Sequence, residues 1–156
     1  MRIDIRRASG GQSERLTQIA HAAKRHWRYP ERWIESWKDV LTITPDYILN
    51  NEVYSATDGD DVLGFYALIA DGDKATLDHL WIDPKNIGAG IGRELFNHAV
   101  RRATAMHASV IEIESDPNAE GFYKHMGARR LGETSSELDG QPRILPLLAL
   151  EIKRET

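Results

Sequence analysis

The chain has 156 residues, which favours a single domain over 1–156 because two domains would each be unusually small. Hydrophobic residues make up 41% and charged residues 28%, which predicts a packed core, and the net charge of −4 argues against a strongly basic nucleic-acid-binding protein. The absence of cysteine excludes disulfides, thiol nucleophiles and thiolate-bound zinc.

The first ten residues carry charges where a signal peptide needs an apolar stretch. A run of about 18 apolar residues, which a membrane-spanning helix needs, does not occur in the sequence. We therefore expect a cytoplasmic protein with no membrane and no nucleic-acid partner.

The first half of the chain predicts one strand, two helices and then a meander of strands. Apolar and charged residues alternate over 3–6, and helical spacing predicts a first helix up to residue 24 and a second one over 30–40. Strand-like segments follow at 53–56, 62–70 and 75–82, separated by Asp-Gly-Asp turns.

The second half predicts a helix over 93–107, a strand over 110–114 and a further helix that Asp116 caps and Gly127 ends. Residues 132–143 are predicted as a turn or loop before a last strand over 144–152. The order of these elements indicates a mixed α/β domain.

Three glycines at alternate positions, Gly88, Gly90 and Gly92, join the third strand of the meander to a helix. Glycine permits positive φ and close approach of a ligand to the backbone, and the first turn of a helix offers N–H groups to an anion. The spacing favours a pyrophosphate site, and the alternative is a tight turn with no ligand. A Walker loop does not fit the residues after Gly92, and the dinucleotide fingerprint would need glycine where Arg93 stands.

This segment resembles the cofactor loop of the GNAT superfamily of acyl-CoA-dependent N-acetyltransferases, Arg/Gln-x-x-Gly-x-Gly/Ala, which follows a strand ending in aliphatic-x-Pro. Residues 82–84, Gly90 and Gly92 match, and Ile87 stands where the family has Arg or Gln. Residues 118–127 match a second element of the family, Asn-x-x-Ala/Gly-x-Tyr-x-x-x-Gly, without gaps. The two motifs cover about the C-terminal half of the chain.

The resemblance implies a GNAT-like α/β fold: a central mixed sheet of about six to seven strands, about four helices, and two splayed strands that form an acyl-CoA cleft. The implied cofactor is acetyl-CoA. Its pyrophosphate would meet the loop and its pantetheine arm the strand, and Asn118 would approach the cofactor from the next helix. The implied cofactor-binding residues are Leu80, Ile82, Ile87, Gly88, Ala89, Gly90, Gly92, Arg93, Asn118 and Tyr123.

The resemblance also implies the chemistry. Tyr123 would be the general acid, since a phenol is protonated at pH 7 and can donate to a departing thiolate. Asp78 would be the general base that accepts the proton of the attacking amine. His79 is a second candidate, and a water relayed through Glu114 or Asp116 is a third.

The resemblance further implies that the acceptor, a small-molecule or peptide amine, binds near the connection between the first two helices. Trp27, Tyr29 and Trp33 are the candidates, because aromatic faces attract a cationic amine. Arg28 could instead favour an acidic substrate, and Trp33 could be an ordinary buried helix residue. The six histidines show no metal-ligand spacing, so no metal is expected.

Two other classes of function stay open at this point. One is a non-catalytic module that binds or senses acyl-CoA, and the other is a nucleotide-binding domain. The resemblance also allows a homodimer formed through the last strands.

Overall fold

The computed structural model describes residues 2–153, which form seven strands and five helices. The strands are β1 (Asp4–Arg7), β2 (Glu52–Asp58), β3 (Asp61–Asp71), β4 (Lys74–Ile82), β5 (Val110–Glu114), β6 (Arg129–Leu138) and β7 (Gln141–Glu151). The helices are α1 (Ser13–His26), α2 (Glu31–Ser36), α3 (Pro45–Asn50), α4 (Ile91–Ala105) and α5 (Glu120–His125). Short 3₁₀ turns at Gly10–Gln12, Pro84–Asn86 and Pro117–Ala119 precede α1, α4 and α5.

The strands form one mixed sheet in the order β1-β2-β3-β4-β5-β7-β6. β1 pairs antiparallel with β2, β4 pairs parallel with β5, and β7 lies antiparallel between β5 and β6. The predicted meander corresponds to β2, β3 and β4. Its two turns contain Gly59 at φ 61° and Gly72 at φ 63°, a backbone conformation that favours glycine in tight hairpins.

The chain divides into two compact units. The first contains the residues up to Ala67 together with His79–His98. Its core is a cluster of buried apolar side chains from α1, α3, β2, β3 and the segments between them, with Trp37, Tyr47 and Trp81 packed against it. Burying an aliphatic or aromatic side chain of this size contributes roughly 1.5–3 kcal/mol, so this cluster holds the elements around the end of β4 in place.

The second unit contains Leu68–Asp78 and the residues from Ala99 on. The face of α4 that carries Ala99 and Ala103 is fully buried, as the helical spacing predicts. Ile111 and Ile113 on β5 are also buried, as is Leu148 on β7. Alternate residues of β5 therefore point into the core of this unit, in agreement with a half-buried strand.

The sequence predicted a turn or loop over residues 132–143, and this prediction was wrong. Most of these residues belong to two strands. β6 and β7 pair from Arg129 with Ala149 to Leu138 with Gln141, and Asp139 and Gly140 make the turn at positive φ. β6 lies at the edge of the sheet and most of its side chains are exposed on both faces. Without a buried face there is no apolar alternation, so the hydrophobic pattern could not reveal this strand.

The predicted extent of the second helix, over 30–40, was also wrong. α2 ends at Ser36, and Trp37 begins a run of turns. α3 was not expected at all. Thr44 caps it by accepting a hydrogen bond from the Tyr47 N–H group, and Pro45 occupies its first turn. Six residues are too few to show a helical period, so only this cap could have marked the helix.

Candidate active site

The site begins where β4 and β5 run side by side in the second unit. Their parallel pairing ends at Thr76 on β4 and Glu112 on β5, while β5 is paired with β7 as far as Glu114. Asp78, the predicted general base, lies on β4 beyond the last pair, and its side chain is exposed. β4 therefore continues beyond the residues at which it pairs with β5.

The glycine-rich loop leads into the N-terminus of α4 in the first unit. Gly88 has φ 92° and Gly90 has φ 79°, and a Cβ at either position would meet no atom within 4 Å. Backbone conformation, not crowding, therefore requires glycine here. The Glu94 N–H group donates to the Gly90 carbonyl oxygen at 3.1 Å. The N–H groups of residues 91–93 precede this hydrogen bond in the first turn of the helix. They sit at the positive end of a helix of 15 residues, a favourable place for an anion.

Three other predicted loop residues, Ile87, Ala89 and Arg93, are exposed. The N–H group of Ile87 donates to the Pro84 carbonyl oxygen at 3.3 Å, so this amide is engaged within the loop. The amides that follow Ile87 therefore carry the candidate anion site.

Asp83 fixes the point where β4 turns into this loop. Its buried side chain accepts a hydrogen bond of 2.7 Å from Arg15 on α1 and a longer one of 3.3 Å from the Lys85 N–H group. Burial raises the pKa of the Asp83 carboxyl, but the hydrogen bonds and the two nearby positive charges outweigh burial and hold that pKa below its usual value. Asp83 is therefore an ionised anchor for the start of the loop.

The end of β4 lies against a glycine of β3. A Cβ on Gly64 would come within 2.8 Å of the Trp81 carbonyl oxygen and 2.9 Å of the Ile82 Cδ1 atom. No real side chain tolerates such distances without movement of the backbone. Gly64 therefore sets the position of Trp81 and of the half-buried Ile82, which the resemblance places against the pantetheine arm.

Tyr123, the predicted general acid, is 7% exposed on α5, and its ring contacts that of Phe122 edge to face. Burial raises the pKa of Tyr123 far above its usual value, and the negative charge of Asp116 raises this pKa further. The phenol therefore stays protonated at neutral pH.

Asp116 organises the approach to α5. Its Oδ1 atom accepts hydrogen bonds from the backbone N–H group of Asn118 at 2.8 Å and from its side-chain amide at 3.0 Å. Its Oδ2 atom lies 3.6 Å from the guanidinium of Arg143, and both side chains are largely buried. Asp116 therefore fixes the orientation of Asn118, which the resemblance assigns to cofactor binding.

Aromatic side chains gather near the connection between α1 and α2. The rings of Tyr29 and Trp33 lie 5.8 Å apart, and Trp37 contacts both of them. Trp27 is more exposed and makes a ring contact with His26 at 5.7 Å. The structure therefore brings together two of the three predicted acceptor residues, Tyr29 and Trp33, and adds Trp37 to them.

His79 and Trp81 on β4 extend this aromatic region. The indole Nε1–H group of Trp81 donates to the Nδ1 atom of His79 at 2.9 Å. Because an indole can only donate, Nδ1 must carry a lone pair, and that lone pair is occupied. In this arrangement His79 orients Trp81 and has no lone pair left with which to act as a base.

Sequence reasoning missed Gly64, Arg143 and Lys24, the last of which lies buried among the aromatic rings. A lone glycine inside a strand pattern signals close backbone contact, so Gly64 could have been found. Lys24 follows Ala20 by four residues on the buried face of α1, which is a weaker signal. Arg143 was placed in the supposed loop and had no visible partner.

Within residues 2–153, no helix is long and apolar enough to cross a lipid bilayer. In the same residues, no group of three or more histidine, aspartate or glutamate side chains is placed to hold a metal ion.

Comparison with known proteins identifies the family of this chain. A family model described as an acetyltransferase (GNAT) domain matches residues 33–140. The chain is 32% identical over 160 residues to the peptidyl-lysine N-acetyltransferase YjaB of Salmonella typhimurium, an alignment that covers 96% of this chain and 98% of the relative. The chain therefore belongs to the GNAT acetyltransferase family.

Two solved structures share the fold. A GCN5-related N-acetyltransferase from Rhodopseudomonas palustris superposes with a TM-score of 0.82 at 17% identity, covering 97% of this chain and 96% of that one. The PaiA N-acetyltransferase of Thermoplasma acidophilum, solved in complex with coenzyme A, superposes with a TM-score of 0.76 at 21% identity, covering 97% and 99%.

These findings confirm the predicted family, the mixed α/β fold, an acyl-CoA-dependent N-acetyltransferase and acetyl-CoA as its acyl donor. The acceptor is an amine. The roles of the individual site residues stay predictions.

Proposed function

We propose that this chain transfers the acetyl group of acetyl-CoA to the side-chain amine of a lysine, by direct attack within a ternary complex. The observation that carries the proposal is the N-terminus of α4 behind a loop whose Gly88 and Gly90 have positive φ. Lysine is supported as the acceptor by the 32% identity to a relative named as a peptidyl-lysine N-acetyltransferase. Residues 1–156 would act as one acetyltransferase domain.

The acetyl-CoA site would use backbone groups for the most part. The amides from Gly88 to Gly92 would bind the pyrophosphate, with Arg93 supplying positive charge beside it. Backbone groups of Leu80 and Ile82 would hold the pantetheine arm. Asn118, oriented by Asp116, would also contact the cofactor.

The chemical step forms one bond and breaks one. The neutral amine attacks the thioester carbon, and the resulting oxyanion would be stabilised by a backbone N–H group near Ile82. Asp78 or a bound water accepts the proton that the amine loses. The C–S bond then breaks, and the sulfur leaves with a proton from Tyr123, giving the acetylated amine and free coenzyme A.

The environment of Tyr123 supports this role in one specific way. Burial raises the pKa of the Tyr123 phenol, so this group still carries its proton when the C–S bond begins to break. A thiol in water has a pKa near 8.5, below that of the phenol, so the proton transfer relies on burial also raising the pKa of the departing sulfur.

Trp27, Tyr29 and Trp33 would line the approach of the acceptor near the connection between α1 and α2. Two of these rings, Tyr29 and Trp33, contact each other, and their faces attract a cationic amine. An acidic substrate would instead bind through Arg28. Peptides that differ only in carrying an acidic side chain beside the lysine distinguish the two cases.

The experiment is a calorimetric titration of acetyl-CoA into the purified protein, with NAD and ATP as controls. The proposal predicts saturable binding at one site per chain, followed by release of free thiol when a lysine peptide is added. Absence of cysteine removes any thiol background from the protein itself. A folded sample that binds neither acetyl-CoA nor a lysine peptide contradicts the proposal.

A homodimer formed through β6 and β7 stays a prediction. β6 is the edge of the sheet, and Leu131 on it is 48% exposed. The same strand carries an ion pair of 2.8 Å between Arg130 and Glu133, and such charges at an edge oppose further strand pairing. Light scattering at several protein concentrations decides between monomer and dimer.

A further inference from the structure

A buried lysine lies inside a cage of aromatic rings in the first unit. Lys24, near the end of α1, is 7% exposed, and its ammonium lies 4.2 Å from the ring centre of Trp37 and 5.0 Å from that of Tyr29. The ring of Trp81 is 5.8 Å away. The face of an aromatic ring carries negative charge density, which attracts an ammonium within about 6 Å of the ring centre. These three rings, which we call the aromatic cage, therefore already bind one alkylammonium group.

The walls of the aromatic cage are held by contacts that do not involve Lys24. Trp81 donates its indole hydrogen bond to His79, and both Trp37 and Trp81 pack against the buried core. Tyr29 meets Trp37 edge to face at 5.1 Å. Contacts with other elements therefore help to position the three rings around the ammonium of Lys24.

The connection that carries Tyr29 begins where α1 ends. Arg28 has φ 62°, the left-handed conformation in which helices commonly end, and its N–H group donates to the Arg25 carbonyl oxygen at 2.9 Å. Lys24 itself reaches the rings through a flexible four-carbon stem, so its ammonium can leave while α1 stays in place.

We propose that the aromatic cage of Tyr29, Trp37 and Trp81 is the binding site for the ammonium group of the acceptor, and that Lys24 is an internal occupant which the acceptor displaces. The inference rests on the proposed acetylation of an amine and adds the atoms that recognise it. Its ligand class is the primary alkylammonium, of which the lysine side chain is the example already seen in the structure. Lys24 would lower the apparent affinity for the acceptor, because only molecules with an emptied cage can bind it.

The first test measures binding in the free protein with tetramethylammonium, a cation that cannot be acetylated. Tryptophan fluorescence is followed at constant ionic strength in the wild type, in Lys24→Ala and in Lys24→Met, whose side chain fills the cage without charge. Lys38→Ala removes an exposed lysine beside Trp37 and is the matched charge control. We expect Lys24→Ala to bind about fivefold tighter than the other three proteins, a factor typical of one cation–π contact. Equal binding in Lys24→Ala and the wild type overturns the proposal.

The second test measures the kinetics with a lysine peptide. Lys24→Ala should lower KM for the peptide about fivefold while kcat changes less, and Lys38→Ala should leave both unchanged. In the wild type, tetramethylammonium should inhibit competitively with respect to the peptide, which requires no variant to fold. An unchanged KM or non-competitive inhibition overturns the proposal.

The two tests separate this inference from the function on which it rests. If the enzyme is active but its KM for the peptide is the same in the wild type and in Lys24→Ala, the proposal about the aromatic cage is contradicted and the acetyltransferase proposal is not. A folded protein that releases no thiol with any amine contradicts the acetyltransferase proposal, and the fluorescence titration then still decides whether the cage binds alkylammonium groups.

Discussion

The Nη2 atom of Arg15 lies 2.7 Å from the Oδ2 atom of Asp83, joining α1 to the residue at which β4 ends. The same guanidinium nitrogen donates to the Val62 carbonyl oxygen at 3.0 Å. Asp83 in turn donates its own N–H group to the Leu63 carbonyl oxygen at 2.9 Å. One ion pair thus ties three elements together immediately before the glycine-rich loop, so loop position and fold stability depend on the same contact.

Asp83→Asn is expected to destabilise the protein by about 1.5–3 kcal/mol, because it removes the charge that Arg15 binds and leaves the guanidinium without its carboxylate. The measurement is urea unfolding at pH 7 followed by circular dichroism. Asp60→Asn, at an exposed turn between β2 and β3, changes the charge equally and should cost less than about 0.5 kcal/mol. Equal effects of the two substitutions contradict the anchoring role.

The contribution of Asp83 to stability should depend on pH in a defined direction. Its pKa is lower in the folded protein than in the unfolded chain, so the stabilisation is complete above the unfolded pKa of about 3.9 and is lost as the pH falls through the folded value. The difference in free energy of unfolding between wild type and Asp83→Asn should be constant from pH 7 to about pH 5 and shrink below about pH 4. A difference that instead grew on acidification would contradict the assigned pKa shift.

Gly90→Glu tests the candidate pyrophosphate site. It places a negative charge at the N-terminus of α4, where the anion of acetyl-CoA is expected, and should weaken acetyl-CoA binding by roughly tenfold or more. Gly90→Ala carries the same backbone strain at φ 79° without the charge, so it should lose stability but little affinity. Calorimetry on both variants gives the comparison, and equal losses of affinity would show that strain alone explains the effect.

Gly64→Ala tests whether the position of Trp81 and Ile82 matters for the reaction. The new Cβ would lie 2.8 Å from the Trp81 carbonyl oxygen, so the end of β4 must shift, with a stability cost of about 1–3 kcal/mol. We expect a higher KM for acetyl-CoA as well. Gly132→Ala in β6, where a Cβ meets no atom within 4 Å, is the matched strand control and should leave KM unchanged.

The elements that the sequence predicted well are marked by local patterns of residues, such as turn residues between strands or glycines before a helix. The meander could be predicted because its strand-like segments are separated by Asp-Gly-Asp turns, in which Gly59 and Gly72 adopt positive φ. The loop after β4 was visible because its glycines and the following helix are local features. Both signals arise from neighbours along the chain, so no knowledge of the tertiary structure was needed.

The parts that could not be predicted depend on contacts between distant residues. β6 is defined by its pairing with β7 and has no buried face of its own. Lys24 and two rings of the aromatic cage, Trp37 and Trp81, come from α1, the end of α2 and β4. In the sequence these residues are a lysine on α1 and two tryptophans far from it, and nothing local indicates that they meet.

The most direct test of the account is the rate of thiol release from acetyl-CoA with a lysine peptide, measured for the wild type, Tyr123→Phe and Tyr54→Phe, with the Kd for acetyl-CoA measured in parallel. Tyr54→Phe removes a phenol outside the proposed site. We predict that Tyr123→Phe lowers kcat at least about 10²-fold with little change in Kd, while Tyr54→Phe resembles the wild type. We also predict no alkaline loss of wild-type kcat from ionisation of Tyr123 up to about pH 10, because burial raises the pKa of this phenol above its usual value. An unchanged kcat in a Tyr123→Phe protein that binds acetyl-CoA normally would contradict the assignment of Tyr123 as the general acid.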